Sequence, residues 1–316
     1  MRIIKPLVLI LTYISVAVFL FGCTGRGGQE KEEQPQEQTV LEEKNQDQGV
    51  LAEFERLIRE NAAEKEILAY IDANIVKVTK ESANQLVTGF EARQKKALEE
   101  LDQQFASGKE EKWTKTIHNG LQKEFGYSFS MQQLGEIKDP EIKKMLEEVR
   151  DTGYRVRSAE GMYFPVIDYQ FYQRYYAYLT EDIKNYYVLM ATESNSPPAA
   201  DAALLITPDE ILKRIVAQEN YLKGYPGSAK LKDIEELYLR YVNFYLFGLN
   251  NTPAFAYNTR VLRKDFQESY NNFDPTAGGK FAEAFSGYFE VLKNANYTLT
   301  DKVVQERQKV IDKVKQ

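Results

Sequence analysis

Thr207-Pro208-Asp209-Glu210, followed by Ile211, Leu212, Ile215, Val216 and Leu222 and closed by Gly224, is the stretch whose reading decides the fold. Thr207 stands where a helix N-cap belongs. Pro208 takes the first helical position, where a missing N–H costs nothing, and Glu210 the third, where its side chain can close a capping box. The apolar residues then recur three and four apart, which places them on one helical face. Leu231, Ile234, Leu237, Tyr238, Tyr241, Val242 and Tyr245 repeat the pattern before Gly248. Two helices of about four turns are therefore predicted, back to back across a short turn.

The same signals extend in both directions. Toward the carboxyl end, Val261, Leu262 and Phe266 predict one helix and Phe281, Phe285, Tyr288, Phe289 and Leu292 another, with Thr300-Asp301 capping a last one. Toward the amino end, Thr180-Glu181-Asp182 opens a helix through Tyr186, Tyr187 and Leu189, and Asp139-Pro140-Glu141 starts one that Asp151-Thr152-Gly153 stops. Trp113, Ile117, Leu121 and Phe125 form a further helical line. From Leu51 a one-sided stripe runs through Phe54, Leu57, Ile58, Ile67, Leu68, Ile71 and Ile75. Ser82 with Gln85 three residues later reads as the capping box of the next helix. One stretch changes period: Tyr154-Arg155-Val156-Arg157-Ser158 and Met162-Tyr163-Phe164-Pro165-Val166 alternate around Ala159-Glu160-Gly161, the pattern of a β-hairpin. Beyond it Asp168 caps a segment that is aromatic on nearly every side, with Tyr169, Phe171, Tyr172, Tyr175, Tyr176 and Tyr178. The expected fold class is mainly α, a helical bundle or stacked helical hairpins with one small β-hairpin.

Tyr225-Pro226-Gly227-Ser228, lying between a helix end and a helix start, resembles the inter-repeat turn of tetratricopeptide-type proteins. Helix starts near 208 and 258, or 230 and 277, are spaced more widely than that family's unit of about 34 residues, so bundle and stacked hairpins both stay open.

Composition sets bounds on the chemistry. The chain has 316 residues, 43% hydrophobic and 28% charged, enough to bury a sizeable core. Its formal net charge of −6 offers no basic patch for nucleic acid. One cysteine, Cys23, cannot close an internal disulfide, and one histidine, His118, cannot supply a two-imidazole metal site. No metal or cofactor is called for.

Arg2 and Lys5 form a short positive region, and Leu7 to Phe21 follow without a charge, the length of a signal h-region rather than of a bilayer span. Leu20-Phe21-Gly22-Cys23 ends that run and resembles the lipobox of bacterial lipoproteins. The resemblance implies a signal peptide over residues 1–22, lipidation of Cys23 and residence on the extracytoplasmic side of the cell membrane. Residues 23–50 hold the run Gln29-Glu30-Lys31-Glu32-Glu33-Gln34-Pro35-Gln36-Glu37-Gln38, too polar to offset the entropy of folding, and read as a disordered tether. A helical region over 51–150 and the hairpin with the carboxyl-terminal helices over 151–316 then form the body.

Searching for a reaction finds little. Gly-x-Ser-x-Gly and Ser-x-x-Lys are absent. Thr276-Ala277-Gly278-Gly279-Lys280-Phe281 lacks the first glycine and the Ser or Thr of a phosphate loop. Glu160 and Asp168 are the one carboxylate pair that an exported cell-wall hydrolase could use. Tyr163, Tyr169, Tyr172 and Tyr176 are the candidates for an aromatic ligand groove, because their faces stack on sugar rings or peptides while their hydroxyls bond. The leading expectation is a non-catalytic, lipid-anchored helical protein that binds a protein, peptide or cell-wall polymer through an aromatic face beside the hairpin.

Overall fold

The computed structural model describes residues 35–106, 112–159, 161–274, 276 and 279–316. Two units divide the chain, Met1–Leu41 and Glu42–Gln316. Of the first, only the helical residues from Pro35 onward are described. The second carries the core.

The first helices are α1 (Pro35–Arg59), α2 (Glu64–Asn74), α3 (Lys80–Ala106), α4 (Lys112–Phe125) and α5 (Pro140–Asp151). The hairpin β1 (Tyr154–Ala159) and β2 (Met162–Ile167) pairs in antiparallel register, Tyr154 opposite Ile167 and Ala159 opposite Met162. A 3-10 helix (Tyr169–Tyr178) and α6 (Glu181–Asn195) follow. Next come the two-residue strands β3 (Ala199–Ala200) and β4 (Ala203–Leu204), α7 (Pro208–Gly224) and α8 (Leu231–Phe247). The chain ends with β5 (Gly248–Leu249), β6 (Thr252–Pro253), α9 (Lys264–Asn271), α10 (Lys280–Asn294) and α11 (Asp301–Val314). The fold is mainly α. Helix α7 packs along α8, α10 along α11, and α8 also against α11. Among the described residues no helix is long and apolar enough to cross a membrane.

Local caps form as their residues dictate. Asp139 accepts from Glu141 N at 2.9 Å, Thr207 from Glu210 N at 3.2 Å and Thr300 from Val303 N at 3.3 Å. Four expectations are corrected. The helix before Leu51 begins at Pro35, so the later part of the 23–50 tether is ordered, and Asp47 and Val50 are buried. The stripe from Leu51 to Ile75 is two helices, broken where Asn61 takes a left-handed φ of 55°. Helix α3 is capped by Thr79, whose hydroxyl accepts from Ser82 N at 3.4 Å, and not by Ser82 itself. Val261 and Leu262 form isolated β-bridges ahead of α9, and the one expected hairpin is joined by two smaller ones.

Asp47 explains both the ordered tether and the shifted cap. Its carboxylate accepts from Thr79 N at 3.2 Å, from the Thr79 hydroxyl and from Ser82 Oγ at 2.6 Å. Burial alone would raise its pKa, but these bonds from Ser82 and Thr79 bring it below the usual aspartate value. The negative charge sits at the start of α3, where the helix dipole favours it. Asp47→Ala should lower the unfolding free energy by about 2 kcal/mol in urea titration, since bonds to a charged group are lost together. An unchanged midpoint would show that this clamp contributes nothing.

Candidate functional site

The aromatic segment after the hairpin is a 3-10 helix, and its spacing decides what its tyrosines do. With three residues per turn, Tyr169, Tyr172 and Tyr175 stack on one line and all three are buried. They do not face solvent. Tyr169 meets Glu91 of α3, whose side chain has no exposed surface, while the Tyr175 hydroxyl donates to Asp72 at 2.7 Å. Glu91 Oε1 accepts from the hydroxyls of Tyr169 at 3.0 Å and Tyr186 at 2.5 Å, and Oε2 from Tyr187 at 3.3 Å. Lys95 Nζ lies 2.9 Å from Oε1, and Lys230 Nζ donates to Oε2 at 2.7 Å. Burial pushes the Glu91 carboxyl up, and the two ammonium groups and hydroxyls more than reverse that, leaving it below the ordinary value. Beside it the Tyr172 and Tyr187 rings stack with centroids 4.3 Å apart, and the Tyr172 hydroxyl donates to buried Gln94.

The residues singled out from sequence therefore scatter. Tyr163 is buried, donating to Gly126 O at 2.8 Å, and Tyr176 is half-buried against the core. Of the four tyrosines expected as candidates for an aromatic ligand groove, Tyr169 lines a shallow depression of 320 Å³ beside the hairpin, with Leu98, Arg157, Val166, Ile167, Glu193 and Ser194. Asp168 is the cap of the 3-10 helix, accepting from Gln170 N at 3.0 Å, and is paired with Arg155. Glu160 and Cys23 lie outside the described residues. His118 is half-buried, its ring 6.2 Å from that of Tyr163. Among the described residues no three His, Cys, Asp or Glu side chains gather as a metal ion requires.

Two further concavities lie in the carboxyl-terminal half. A groove of 650 Å³ along α7 and α8 has three glutamates and three lysines on its walls. Its Glu219 accepts from Phe281 N at 3.0 Å, so the amino end of α10, where the phosphate-loop-like stretch leads, is already filled by a side chain of this protein.

The other, of 450 Å³, is built by the loops after α8. It is lined by Phe247, Asn250, Phe255, Tyr257, Arg260 and Arg307, with Leu299 and backbone from the β5–β6 turn. Arg307 comes from α11 and lies over the Phe247 ring at 4.1 Å and the Phe255 ring at 5.6 Å. Burial lowers its pKa, with Tyr288 and Tyr270 opposing. No acidic residue lines this pocket. Gly248 shapes the entrance: at φ 67° it turns the chain out of α8, and a Cβ there would press into the Thr252 carbonyl oxygen. Five of the six non-glycine residues with positive φ among those described, Asp201, Ala202, Arg260, Asn296 and Tyr297, sit in the loops at this end. Those loops are tied together by Asn251 N to Ala202 O at 2.9 Å, Leu262 N to Tyr297 O at 2.8 Å and Leu299 N to Arg260 O at 2.8 Å.

Glu91→Gln should cost about 3–5 kcal/mol, because two lysines lose the charge that compensates them in a buried site. The lowered carboxyl gives stability that is present above the ordinary value of 4.5 and lost as pH falls through the folded value. The gap between wild type and the glutamine variant should accordingly narrow below pH 4.5 in denaturant titrations. Tyr172, Tyr186 and Tyr187, all raised well above 10.0 chiefly by burial, should make the fold weaken as pH rises past that value. A gap independent of pH would remove Glu91 as the ionised centre.

No known family model, curated protein or solved structure matches this chain.

Proposed function

We propose that the chain is a lipid-anchored, extracytoplasmic protein that works by holding a ligand rather than by transforming one, and that the pocket between Phe247, Tyr257, Arg260 and Arg307 receives it. The place follows from Leu20-Phe21-Gly22-Cys23 at the end of an uncharged run. Two or more acyl chains on Cys23 would hold the protein firmly, because each buried methylene contributes about 0.8 kcal/mol.

The single observation that carries the binding reading is the charge of the pocket. In a chain whose acids outnumber its bases, 47 to 41, this one cavity has two arginines as its only charged lining residues. Arg307 is half-buried with no carboxylate beside it among the described residues, and Arg260 is exposed, so an anion entering the pocket meets two uncompensated positive charges. Asp168, by contrast, is engaged by Arg155 and by the backbone of the 3-10 helix, which supports a structural part for it.

Cys23→Ser should abolish acyl labelling and amino-terminal processing and move the protein out of the membrane fraction; unaltered fractionation with an unprocessed amino terminus in the wild type would defeat the anchor. In detergent, inorganic phosphate at about a hundredfold over its Kd should raise the Tm of the wild-type chain by about 5 °C. The shift should vanish in Arg260→Gln/Arg307→Gln. An equal shift in that variant would defeat the pocket.

A further inference from the structure

The geometry points to a phosphate ester of a sugar or other polyol as the ligand of this pocket, its phosphate held between Arg260 and Arg307 and its polyol under Tyr257; this rests on the ligand-holding reading above.

Arg307 is the anchor. Its guanidinium face is covered by Phe247 and Phe255, so its donors point in the plane of the group. Among the described residues only one of its five N–H donors finds protein, Leu246 O at a long 3.5 Å. Arg307 is half-buried, and its open fork faces a cavity where paired oxygens can fill it. Arg214 of α7 shows how this protein satisfies an arginine that it keeps for itself: Glu193 at 3.2 Å, Glu210 at 3.1 Å and the Tyr241 hydroxyl at 2.8 Å surround it.

Arg260 supplies the second cation. It takes a φ of 56°, which costs an L residue about 1 kcal/mol or more. The strain is imposed from both sides, because Arg260 N donates to Ala256 O at 2.8 Å and Arg260 O accepts from Leu299 N at 2.8 Å. A glycine or asparagine would adopt that conformation at less cost. No salt bridge holds it among the described residues. Two guanidiniums on one cavity match the two negative charges of a phosphate monoester better than the single charge of a carboxylate.

Tyr257 identifies what the phosphate is attached to. The residue is 74% exposed, yet its hydroxyl donates to Asn250 O at 2.9 Å, which ties the ring to the pocket wall. A rigid exposed aromatic is a platform for the C–H face of a sugar or polyol. The exposed Asn250 side chain beside it makes no hydrogen bond among the described residues and can serve a hydroxyl. The 450 Å³ volume falls within the range of small-molecule sites, about 300–1,000 Å³.

Calorimetric titration of the full chain in detergent with inorganic phosphate, glycerol 3-phosphate, glucose 1-phosphate and glucuronate tests this assignment. Glucose 1-phosphate is expected to bind about tenfold more tightly than inorganic phosphate, and Tyr257→Ala to bring the ratio of the two affinities to about one. Arg307→Lys, which keeps the charge and loses the fork, should weaken both about tenfold. A phosphate-ester affinity unchanged in Arg307→Lys and in Arg260→Gln/Arg307→Gln overturns the assignment, as does a sugar preference that survives Tyr257→Ala. Arginine-dependent binding of glucuronate with no binding of the phosphates overturns the phosphate class but leaves a ligand-holding pocket. No arginine-dependent binding of any anion overturns both. Dihexanoyl phosphatidylglycerol below its micelle concentration separates the sources: tighter binding than glycerol 3-phosphate assigns the ester to a lipid headgroup, and equal or weaker binding to a soluble or wall-borne one, either result supporting the same chemistry.

Discussion

A fully buried carboxylate on α3 constrains this molecule more than any apolar contact does. Taking Glu91 out of water costs several kcal/mol, and only a near-complete set of donors makes the position tenable. Those donors come from separate parts of the chain: Lys95 one turn along α3, Tyr169 from the 3-10 helix, Tyr186 and Tyr187 from α6, and Lys230 from the turn before α8. Apolar surfaces tolerate a small slide, whereas hydrogen bonds near 3 Å do not. The elements are thus registered on one another by polarity, and the tyrosines serve both needs at once, their rings filling the core while their hydroxyls meet the charge.

Three ionised side chains are set into inward helical stripes, and their surroundings differ in a way that separates structure from function. Glu91 is answered by five donors and Arg214 by two carboxylates and a hydroxyl. Arg307 is answered by aromatic faces and a distant carbonyl. The protein closes the first two circuits internally and leaves the third open toward a cavity. The backbone around that cavity is also where left-handed residues concentrate, and a conformation held against its intrinsic preference fixes side chains that would otherwise wander.

Much of the helical order was legible because caps are local. Asp139, Thr207 and Thr300 needed only the next three residues to be read correctly. The cap at Thr79 is not legible locally because its partner Asp47 lies 32 residues earlier, in a stretch whose composition argues against order. A segment aromatic on every side fits a period of three as well as one of 3.6, so the line joining Tyr172 to Tyr169 and Tyr175 is not legible in the pattern. The turn at Asp201-Ala202 carries an alanine in the left-handed region, a residue with no turn signal of its own. What could have been seen is the interruption of stripes. Glu91 and Gln94 fall in line with Ala83, Val87 and Leu98, and Arg307 falls in line with Val303, Val310 and Val314. A charge at such a position is either compensated from afar or kept for a visitor, and sequence alone does not tell which.

The bond between Lys230 and Glu91 spans 139 residues. Until the later lysine arrives, the earlier acid has only one of its two ammonium partners, so the amino-terminal helices close over a charge that is incompletely compensated. Such distant closures are entropically slow to find. A polypeptide built in this way completes the polar centre of its interior only after residue 230 is in place.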